Sequence, residues 1–500
     1  MNIVNLFLEA AEQNLNKIAL IHKGREITYG TLKEKVLIQA AYLRKKDIQQ
    51  GDKVLVYIPM SIDLYIMLLA IFYNGSVAVF IDEWSNKERI NQCCKMIDCK
   101  GFAGGWKAKL FALFNKNLRK IPVKVSITSD KFIHEGLPCE MLETDSALIT
   151  LTTGSTGTPK AANRTHAFLF EQFKALEPLI KGTENYTELS TLPIVTMLNL
   201  GHGKTTVIPS FKTSKPKSFI PEKVFSDIEK YNIESIVASP FYTASLGKYG
   251  IENKLQNKTI KHIITGGGPV FPDAASDIVH TFPHAVNMVV YGSTEAEPIS
   301  HIDANKLQNY TVDQGLPVGI PDAQTDLRII SFLPDTYHEF TVDEFDKITC
   351  ETGQHGEIVV KGKHVLENHL GLDKKQLSNK IKTPSGLWHR TGDAGRVDIA
   401  GQLLLLGRCK ESFVYNGQYV FPFIMEYRLQ NIQGLKEGTI IQINNKPIIY
   451  YAPDTNFDTQ FFNLALVELG LENIETKLIK ALPKDPRHHT KIDYGRLKLL

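Results

Sequence analysis

The stretch TTGSTGTPK, residues 152–160, follows directly on the apolar run ALITL at 147–151. A loop so rich in glycine and hydroxyl residues brings backbone N–H groups and hydroxyls close to a phosphate, and Lys160 adds a mobile positive charge. The alternative is an ordinary surface turn, which such a long run of these residues disfavours. The stretch therefore predicts an anion-binding loop behind a buried strand.

This loop does not match the P-loop pattern G-x-x-x-x-G-K-[ST]. Gly154 and Gly157 are three residues apart, and Ala161 stands where the pattern requires Ser or Thr. The segment GHGKTT at 201–206 fails as well, because Leu198 occupies the position of the first glycine. A P-loop nucleotide hydrolase is therefore disfavoured.

The segments around the loop predict an α/β fold. Short β-branched runs alternate with helical stretches such as DLYIMLLAIFYNG at 63–75, and this alternation is typical of parallel strands with crossover helices. The runs are KVLVYI at 53–58, VAVFID at 77–82, ESIVASP at 234–240, KHIITGGG at 261–268 and VNMVVYGSTE at 286–295. Ligands bind at the carboxyl ends of such strands.

The pattern changes after GEIVVKG at 356–362, where VDIAGQLLLLGR at 397–408 reads as a hairpin. We predict a large N-terminal domain over 1–408, with parallel and mixed sheets flanked by helices. A small, mobile domain of mixed α+β structure is expected over 411–500, with a hinge near 408–411. Single cores rarely grow beyond about 300 residues, so a chain of 500 residues favours more than one domain.

Composition favours an ordinary globular protein without nucleic-acid partners. The chain is 43% apolar and 22% charged, with a net charge of only +3, and the basic clusters at 44–46 and 107–120 are interpreted as solvated faces. The longest apolar stretch is broken at 74–76, so no membrane span is expected. The six cysteines include CCKMIDC at 93–99, which lacks zinc-ligand spacing, and with no signal peptide this predicts reduced thiols in a cytoplasmic protein.

A second polar cluster follows a buried run, in VVYGSTEAEPIS at 289–300. We expect Tyr291, Thr294 and Glu295 on the turn after this strand, where an aromatic ring can cover a purine, a hydroxyl can contact a phosphate and a carboxylate can hold Mg²⁺. Taken alone, Glu295 fits a carboxylate at the start of a helix better than a metal ligand.

A third cluster lies in WHRTGD at 388–393 and at Arg408. A carboxylate in a tight Thr-Gly-Asp turn can accept both hydroxyls of a ribose, and the guanidinium fork of an arginine can bind ribose or phosphate. The alternatives are an ordinary turn aspartate for Asp393 and a surface ion pair for Arg408.

Together, these motifs resemble the ANL superfamily of adenylate-forming enzymes, which includes acyl-CoA synthetases, peptide-synthetase adenylation domains and luciferases. The resemblance runs over essentially the whole chain in the same order. It includes REITYGTL at 25–32, TTGSTGTPK, ITGGGPV at 264–270, YGSTE at 291–295, HRTGD at 389–393, GRCKESFVYNGQYVFP at 407–422 and a lysine segment near the C-terminus.

The resemblance implies a two-step reaction that uses ATP and Mg²⁺. A carboxylate attacks the α-phosphate to give an acyl-adenylate and pyrophosphate, and the small domain then swings so that an acceptor takes the acyl group. The implied phosphate-binding residues are Thr152, Thr153, Gly154, Ser155, Thr156, Gly157, Lys160 and Thr294, with Glu295 holding Mg²⁺. The implied AMP-binding residues are Gly266, Gly267, Gly268 and Tyr291 around the adenine, and Asp393 and Arg408 at the ribose. Gly292 and Ser293 are further implied nucleotide-binding residues, and Lys410 is the implied hinge.

The C-terminal segment departs from the common pattern of the superfamily. ALPKDPRHHTKI at 481–492 resembles the ending of one subgroup, which assigns the lysine that bridges carboxylate and α-phosphate to Lys491. Lys484 is the alternative. LPIVTMLNLGHGKTTVIPSF at 192–211 resembles the β-lactone synthetases of bacterial olefin biosynthesis, as do STEAEPIS and WHRTGD. Val414 stands where plant and luciferase-type members have a lysine, which weakens a CoA-dependent second step.

We therefore expect an ATP-dependent acid ligase that acts on a medium or long apolar carboxylic acid. The expected acceptor is the thiol of CoA or of an acyl carrier protein. Two alternatives are a β-lactone synthetase, which cyclises a β-hydroxy fatty acid with release of AMP, and an inactive nucleotide-binding protein.

Overall fold

The fold comes from a computed structural model. It describes residues 1–81, 87–129, 136–153, 159–213, 215, 218–367, 369–371, 377–484 and 492–500. The side chains of Thr152, Thr153 and Pro159 lie outside the description, although their backbones belong to strands.

The N-terminal portion alternates helices and strands. Its elements are α1 (Val4–Gln13), β1 (Ile18–His22), β2 (Arg25–Thr28), α2 (Tyr29–Lys45), β3 (Lys53–Tyr57), α3 (Ile62–Tyr73), β4 (Val77–Phe80), α4 (Lys87–Met96), β5 (Gly101–Gly104), α5 (Trp106–Phe114), α6 (Lys116–Lys120), β6 (Val123–Val125), β7 (Ser146–Thr153), β8 (Pro159–Thr165), α7 (His166–Ile180), β9 (Thr187–Ser190), α8 (Pro193–Gly201), β10 (Thr205–Ile208), α9 (Pro221–Lys230), β11 (Ile233–Ala238), α10 (Pro240–Glu252) and β12 (His262–Gly266).

The remaining portion is richer in antiparallel strands. Its elements are α11 (Pro272–Thr281), β13 (Val286–Ser293), β14 (Ala296–Asp303), α12 (Ala304–Leu307), β15 (Leu316–Pro321), β16 (Asp326–Ile330), β17 (His338–Glu339), α13 (Val342–Ile348), β18 (Gly356–Lys361), β19 (Lys380–Thr383), β20 (Gly386–Val397), β21 (Leu403–Arg408), β22 (Phe413–Tyr415), β23 (Gln418–Val420), α14 (Pro422–Gln430), β24 (Leu435–Ile443), β25 (Lys446–Pro453), α15 (Thr459–Glu468), β26 (Glu475–Leu478) and α16 (Tyr494–Leu497).

Two sheets carry the candidate site. The larger has the order β16-β18-β20-β21-β15-β14-β13-β12-β11-β9-β10-β1-β2, with β17 and β19 attached beside β20. The smaller has the order β6-β5-β3-β4-β7-β8 and is parallel except for β8. One apolar core contains side chains of both sheets and of α2, α3 and α7. The predicted α/β class is therefore confirmed.

Helix α3 shows why the longest apolar stretch stays inside the protein. All its side chains except Asp63 are buried, as expected for a helix that is apolar on every face and lies inside a large core. Ser61 accepts a hydrogen bond from the Leu64 N–H and caps the first turn. No helix in the described ranges combines the length and the apolar character that a bilayer crossing requires.

The P-loop lookalike at 201–206 is part of the core. Lys204 Nζ lies 2.7 Å from Glu188 Oε2 and donates to Thr183 Oγ1 at 2.9 Å, and the side chains of Lys204 and Glu188 are fully buried. Since the charge is paired inside the protein, this lysine is unable to reach a nucleotide. The burial of Lys204 agrees with the failure of residues 201–206 to match the P-loop pattern.

The structure corrects two local predictions. Tyr291 lies within β13 and not on the following turn, and Asp393 lies within β20 and not in a turn. Gly392 has a φ of +72°, and the pairing of β18 with β20 is irregular nearby. A left-handed glycine and a hydroxyl neighbour mimic a turn in sequence, whereas here they bend a continuous strand.

Strands β22 to β26 with α14, α15 and α16 form the mixed C-terminal region. Strands β24, β25 and β26 make a separate three-stranded sheet with its own apolar cluster, and β22 and β23 form a hairpin. Helix α14 also packs on the N-terminal portion, where the Phe271 ring lies 5.3 Å from Phe423 and 5.1 Å from Tyr427. The domain boundary near 408–411 stays a prediction.

Candidate active site

The turn between β13 and β14 positions Thr294 and Glu295. The two strands pair antiparallel, with Ser293 opposite Ala296, so the turn contains only these two residues. A side chain at Gly292 would lie 2.9 Å from the Ala296 carbonyl oxygen, so glycine is required at this close approach. Glu295 is therefore a residue of a tight hairpin, which excludes the alternative of a helix-start carboxylate.

Asp393 joins two predicted site residues from different strands. Tyr291 Oη donates a hydrogen bond to Asp393 Oδ2 at 2.7 Å, and Arg408 Nη1 donates to Asp393 Oδ1 at 2.7 Å. Strands β20 and β21 place Asp393 opposite Arg408 in register. Each carboxylate oxygen keeps a second lone-pair direction, so the group retains acceptor capacity for a ligand hydroxyl.

Burial and the close contacts within this triad shift the pKa values of Tyr291 and Arg408. Burial raises the pKa of Tyr291 well above its ordinary value, and the neighbouring carboxylate of Asp393 raises it further. The same carboxylate raises the pKa of Arg408. Tyr291 therefore stays a neutral donor and Arg408 a permanent cation, while the Arg408 side chain remains half exposed.

Glu295 contacts a histidine that the sequence analysis did not identify. His369 Nε2 lies 3.4 Å from Glu295 Oε1, and the His369 side chain is fully buried while that of Glu295 is 16% exposed. Burial acts most strongly to raise the pKa of the Glu295 carboxyl, but the hydrogen bond with His369, the electrostatic effects of His389 and His369 and a backbone hydrogen bond together outweigh it, and the pKa lies below its ordinary value. The carboxylate is therefore ionised and still reachable from solvent.

A buried lysine lies behind Glu295. Lys380 is buried, donates to the Leu366 carbonyl oxygen and stands opposite His389 in the β19–β20 pair. Burial lowers the pKa of Lys380 to about 7, against the opposing effect of the Glu295 and Glu367 carboxylates. Burial also lowers the pKa of His389, and so does the positive charge of Lys380.

The smaller sheet brings Lys160 to the same region. Lys160 lies on β8, and Arg164 of the same strand donates from Nη2 to the Thr294 carbonyl oxygen at 3.2 Å. The Leu370 N–H donates to the Ala161 carbonyl oxygen at 2.8 Å, and the Leu366 N–H donates to that of Glu295 at 2.7 Å. The segment around 366–370 thus connects β8 with the Glu295 turn.

The glycine run at 266–268 begins where β12 ends. Gly266 is paired with Val290, which immediately precedes Tyr291, and Gly267 has a φ of +92°. The run therefore lies at the strand ends beside Tyr291, as expected for a surface on which a planar ring could rest.

Part of the predicted site lies outside the described residues. Gly154, Ser155, Thr156 and Gly157 fall there, as do Lys491 and the side chains of Thr152 and Thr153. The backbones of Thr152 and Thr153 pair with Lys160 and Pro159, so the undescribed segment 154–158 connects β7 to β8. The predicted contacts of these residues stay predictions.

The two other lysines of the predicted site, Lys484 and Lys410, each form an ion pair. Lys484 Nζ lies 3.0 Å from Glu437 Oε2 within the C-terminal region. Lys410 lies in the short turn Cys409–Glu411 after β21, and its Nζ lies 2.7 Å from Asp335 Oδ2. Its role as a hinge stays a prediction.

The donor set around Glu295 fits a magnesium ion. Mg²⁺ is commonly held by one or two carboxylates together with phosphate oxygens and water, and Glu295 offers an ionised, accessible carboxylate. Groups of three or more His, Cys, Asp or Glu side chains suited to a metal are absent from the described ranges. An ion bound here would therefore share its coordination with the phosphates of a ligand.

All six cysteines are free thiols.

Three comparisons relate the chain to known proteins. The family model for the AMP-binding enzyme matches residues 7–369. The chain is 25% identical over 410 residues to an olefin beta-lactone synthetase of Xanthomonas campestris pv. campestris, covering 76% of this chain and 72% of that protein. It is 22% identical over 458 residues to a 2-succinylbenzoate–CoA ligase of Staphylococcus epidermidis, covering 90% and 87%.

A solved structure of low sequence identity shares the fold. The O-succinylbenzoate coenzyme A synthetase (MenE) from Bacillus subtilis, in complex with ATP and magnesium ion, superposes with a TM-score of 0.81 over 99% of both chains at 19% identity. The family match and the shared fold lead to one assignment. The chain belongs to the AMP-binding enzyme family and is an adenylate-forming, ATP-dependent acid ligase of the ANL superfamily.

Proposed function

We propose that this enzyme activates a medium or long apolar carboxylic acid as its acyl-adenylate and then transfers the acyl group to a thiol of CoA or of an acyl carrier protein. Adenylate formation is the common activity of the family. The class of acid and the acceptor are the specific content of the proposal.

The observation that carries the nucleotide part is the hydrogen-bonded triad of Tyr291, Asp393 and Arg408. Tyr291 and Glu295 lie on the same hairpin, so a nucleotide whose ribose contacts Asp393 would extend its phosphates toward Glu295. Lys160 approaches from the smaller sheet, on the strand whose Arg164 contacts the turn at Thr294. The arrangement supports a single ATP site between the two sheets.

The chemistry at this site is the encounter of two anions. A carboxylate must approach the α-phosphate of ATP, and fixed cations and donors lower the barrier to that encounter. In the proposal, Lys160 and the segment 152–157 bind the departing phosphates, Thr294 contacts phosphate, and Glu295 holds Mg²⁺. The ion would neutralise phosphate charge when bound.

In the same proposal, the glycines at 266–268 and Tyr291 line the adenine, Asp393 and Arg408 hold the ribose, and Gly292 and Ser293 are further nucleotide-binding residues. Lys491 bridges the acid carboxylate and the α-phosphate. Lys410 is the hinge about which residues 411–500 move before the second step.

The nucleotide proposal is tested by ATP–pyrophosphate exchange over a panel of straight-chain acids of increasing length. We expect exchange that depends on Mg²⁺ and rises with the apolar length of the acid. Exchange restricted to short polar or amino acids would contradict the proposed substrate class.

A second candidate for the acceptor step is the acid's own β-hydroxyl, which would give a β-lactone. The similarity to the olefin beta-lactone synthetase of Xanthomonas campestris favours this candidate, and Val414 lies where a lysine would favour CoA. Both candidates share the first half-reaction.

The two acceptors are separated by supplying a β-hydroxy acid, ATP and Mg²⁺ without any thiol. Release of lactone and AMP over many turnovers would support cyclisation. Adenylate that accumulates on the enzyme until CoA or a carrier protein is added would support thiol transfer. Mass spectrometry of the products distinguishes the two results.

We further propose a cytoplasmic location. The six thiols are unpaired by disulfides, and Cys93 and Cys99 are buried in apolar surroundings. A reducing compartment preserves that state. Fractionation of the native host, with detection of this chain, tests the location.

A further inference from the structure

Helix α5 leaves a large apolar face exposed to solvent. Trp106 is 71% exposed, Leu110 49%, Leu113 62% and Phe114 79%. These positions are related by steps of three and four residues, so they lie on one side of the helix. We call them the α5 face.

The opposite side of the helix is the one that packs on the fold. Ala112 is buried, and the Phe111 ring lies 6.3 Å from that of Tyr57 on β3. Both belong to the apolar cluster that covers the smaller sheet. The α5 face therefore contributes little to the core, and its apolar residues call for another explanation.

Basic side chains surround the α5 face. No acidic residue lies between Asp98 and Asp130, whereas six basic residues lie on or beside α5 and α6, namely Lys107, Lys109, Lys116, Arg119, Lys120 and Lys124. Lys107, Lys116, Arg119 and Lys120 are exposed. The interpretation of 107–120 as a solvated charged face is thus incomplete, because the charges border an apolar surface.

The apolar surface continues into a groove of about 610 Å³ beside the helix. Leu110 and Leu113 line one wall and Ile121 and Pro122 the other, with Arg119 at the rim. Lys107 Nζ lies 5.3 Å from the centre of the Trp106 ring, so charge and aromatic surface meet at the start of the helix.

We propose that the α5 face docks reversibly on an anionic phospholipid bilayer. Leucine and phenylalanine side chains gain free energy by entering the acyl boundary, a tryptophan is suited to the headgroup level, and the basic rim complements anionic headgroups. This combination of an apolar stripe, an interfacial aromatic and a rim of one charge sign favours a lipid surface over a protein partner.

A second exposed helix provides an internal comparison. On α15, Phe461 is 48% exposed, Leu464 63% and Val467 57%. Its surroundings are acidic, with Asp458, Glu468, Glu472 and Glu475 nearby in sequence. This helix matches α5 in apolar exposure but lacks charge complementarity to an anionic surface.

The α5 face begins beside the carboxyl ends of the smaller sheet's strands, since Trp106 follows closely on β5. Helix α5 starts after β5. In the order β5-β3-β4-β7 the strands are parallel, so their carboxyl ends all lie along the same edge of the sheet. Three strand spacings separate β5 from β7, about 14 Å. If the proposed function is correct, an apolar acid dissolved in the bilayer would enter from this edge. The docking itself does not depend on that activity.

Flotation of the full chain with vesicles tests the proposal. One set contains phosphatidylcholine alone and the other contains phosphatidylcholine with phosphatidylglycerol. We expect binding to the anionic set that weakens with added salt. Leu113→Glu should reduce this binding at least about tenfold, because it removes apolar burial and adds a repelled charge. Lys120→Gln should weaken it about fivefold.

Leu464→Glu is the matched control, because it places the same change at a site of equal exposure on α15. It should leave binding unchanged, and melting curves and exchange activity should be alike for all three variants. Equal binding to both vesicle sets, no binding, or equal losses for Leu113→Glu and Leu464→Glu would each overturn the proposal. So would an oligomer of the wild-type chain that Leu113→Glu dissociates without any vesicle binding, since the face would then be a protein interface.

Discussion

At the residue scale, the charge of Glu295 is the quantity to test. Glu295→Gln keeps the size and shape of the side chain but removes the ionised carboxylate that is proposed to hold Mg²⁺. We expect ATP–pyrophosphate exchange to fall about a hundredfold, or about 3 kcal/mol, as for the loss of one strong electrostatic stabiliser. Glu339→Gln is a suitable control, because Glu339 makes an exposed ion pair with Lys382 on β19 and should leave exchange unchanged. Full exchange in Glu295→Gln at saturating Mg²⁺ would disprove the role.

Also at the residue scale, variants of Asp393 and Tyr291 distinguish ribose binding by the Asp393 carboxylate from packing of the Tyr291 ring. Asp393→Asn removes the charge that Arg408 neutralises and replaces one acceptor oxygen by a donor. We expect the KM for ATP to rise at least about tenfold, since a hydrogen bond to a charged group contributes about 1.5–3 kcal/mol. Tyr291→Phe keeps the ring beside the glycine run and removes only the hydroxyl, so it should raise KM less. A larger effect of Tyr291→Phe than of Asp393→Asn would mean that the hydroxyl, and not the carboxylate, contacts the nucleotide.

At the element scale, Glu426 links three elements of the C-terminal region. It lies on α14, accepts a hydrogen bond from Thr439 of β24 at 3.1 Å and another from Tyr494 of α16. Burial raises the pKa of Glu426 to about 7. The folded state therefore binds a proton that the unfolded state has released, and the resulting stabilisation is lost as pH rises from about 5 through 7.

Glu426→Gln mimics the protonated carboxyl at every pH. We expect it to flatten the fall in stability of the C-terminal region between pH 5 and 8 and to stabilise that region at pH 8 by about 1–2 kcal/mol. Melting curves at the two pH values measure this. Glu472→Gln is the comparison variant, because it makes the same change at an exposed position of the C-terminal region and should leave the slope of the profile unchanged. A parallel pH profile in Glu426→Gln and the wild type would contradict the assignment.

Elements were more predictable from the sequence than the contacts between them. The runs at 53–58 and 261–268 became β3 and β12 because strands and helices follow from local periodicity. Residue Asp393 was found by its motif but misplaced in a turn, since a left-handed glycine looks the same in a turn and in a bent strand. His369 was missed because only tertiary packing brings it to Glu295, 74 positions away. The exposure of the α5 face was missed for the same reason, as periodicity shows which residues share a face but not what covers it.

At the scale of the whole molecule, the contacts between the C-terminal region and the rest of the chain limit any large movement. Phe271 stacks on Tyr427 of α14 at 5.1 Å, Arg428 Nε lies 3.2 Å from Asp313 Oδ1, and Lys410 is paired with Asp335. A swing of residues 411–500 would have to break the contacts of Tyr427 and Arg428. It would also have to remove the buried Ile424 side chain from the apolar cluster that it shares with the N-terminal portion. The Arg428–Asp313 ion pair is partly exposed and opposes such a conformational step only weakly.

The proposed swing predicts opposite effects for two lysines. If Lys491 bridges the acid and the α-phosphate, Lys491→Ala should abolish adenylate formation but still process pre-formed acyl-adenylate. Lys410→Pro should allow adenylation and block the second step, because proline holds φ at about −65°. Lys410→Ala is its control, since it loses the ion pair with Asp335 but leaves the backbone free to rotate. Lys484→Ala should retain adenylation, because that lysine is engaged by Glu437. Single-turnover assays of each half-reaction measure whether Lys491→Ala loses only the first step and Lys410→Pro only the second. Adenylation that survives in Lys491→Ala but fails in Lys484→Ala would transfer the bridging role to Lys484.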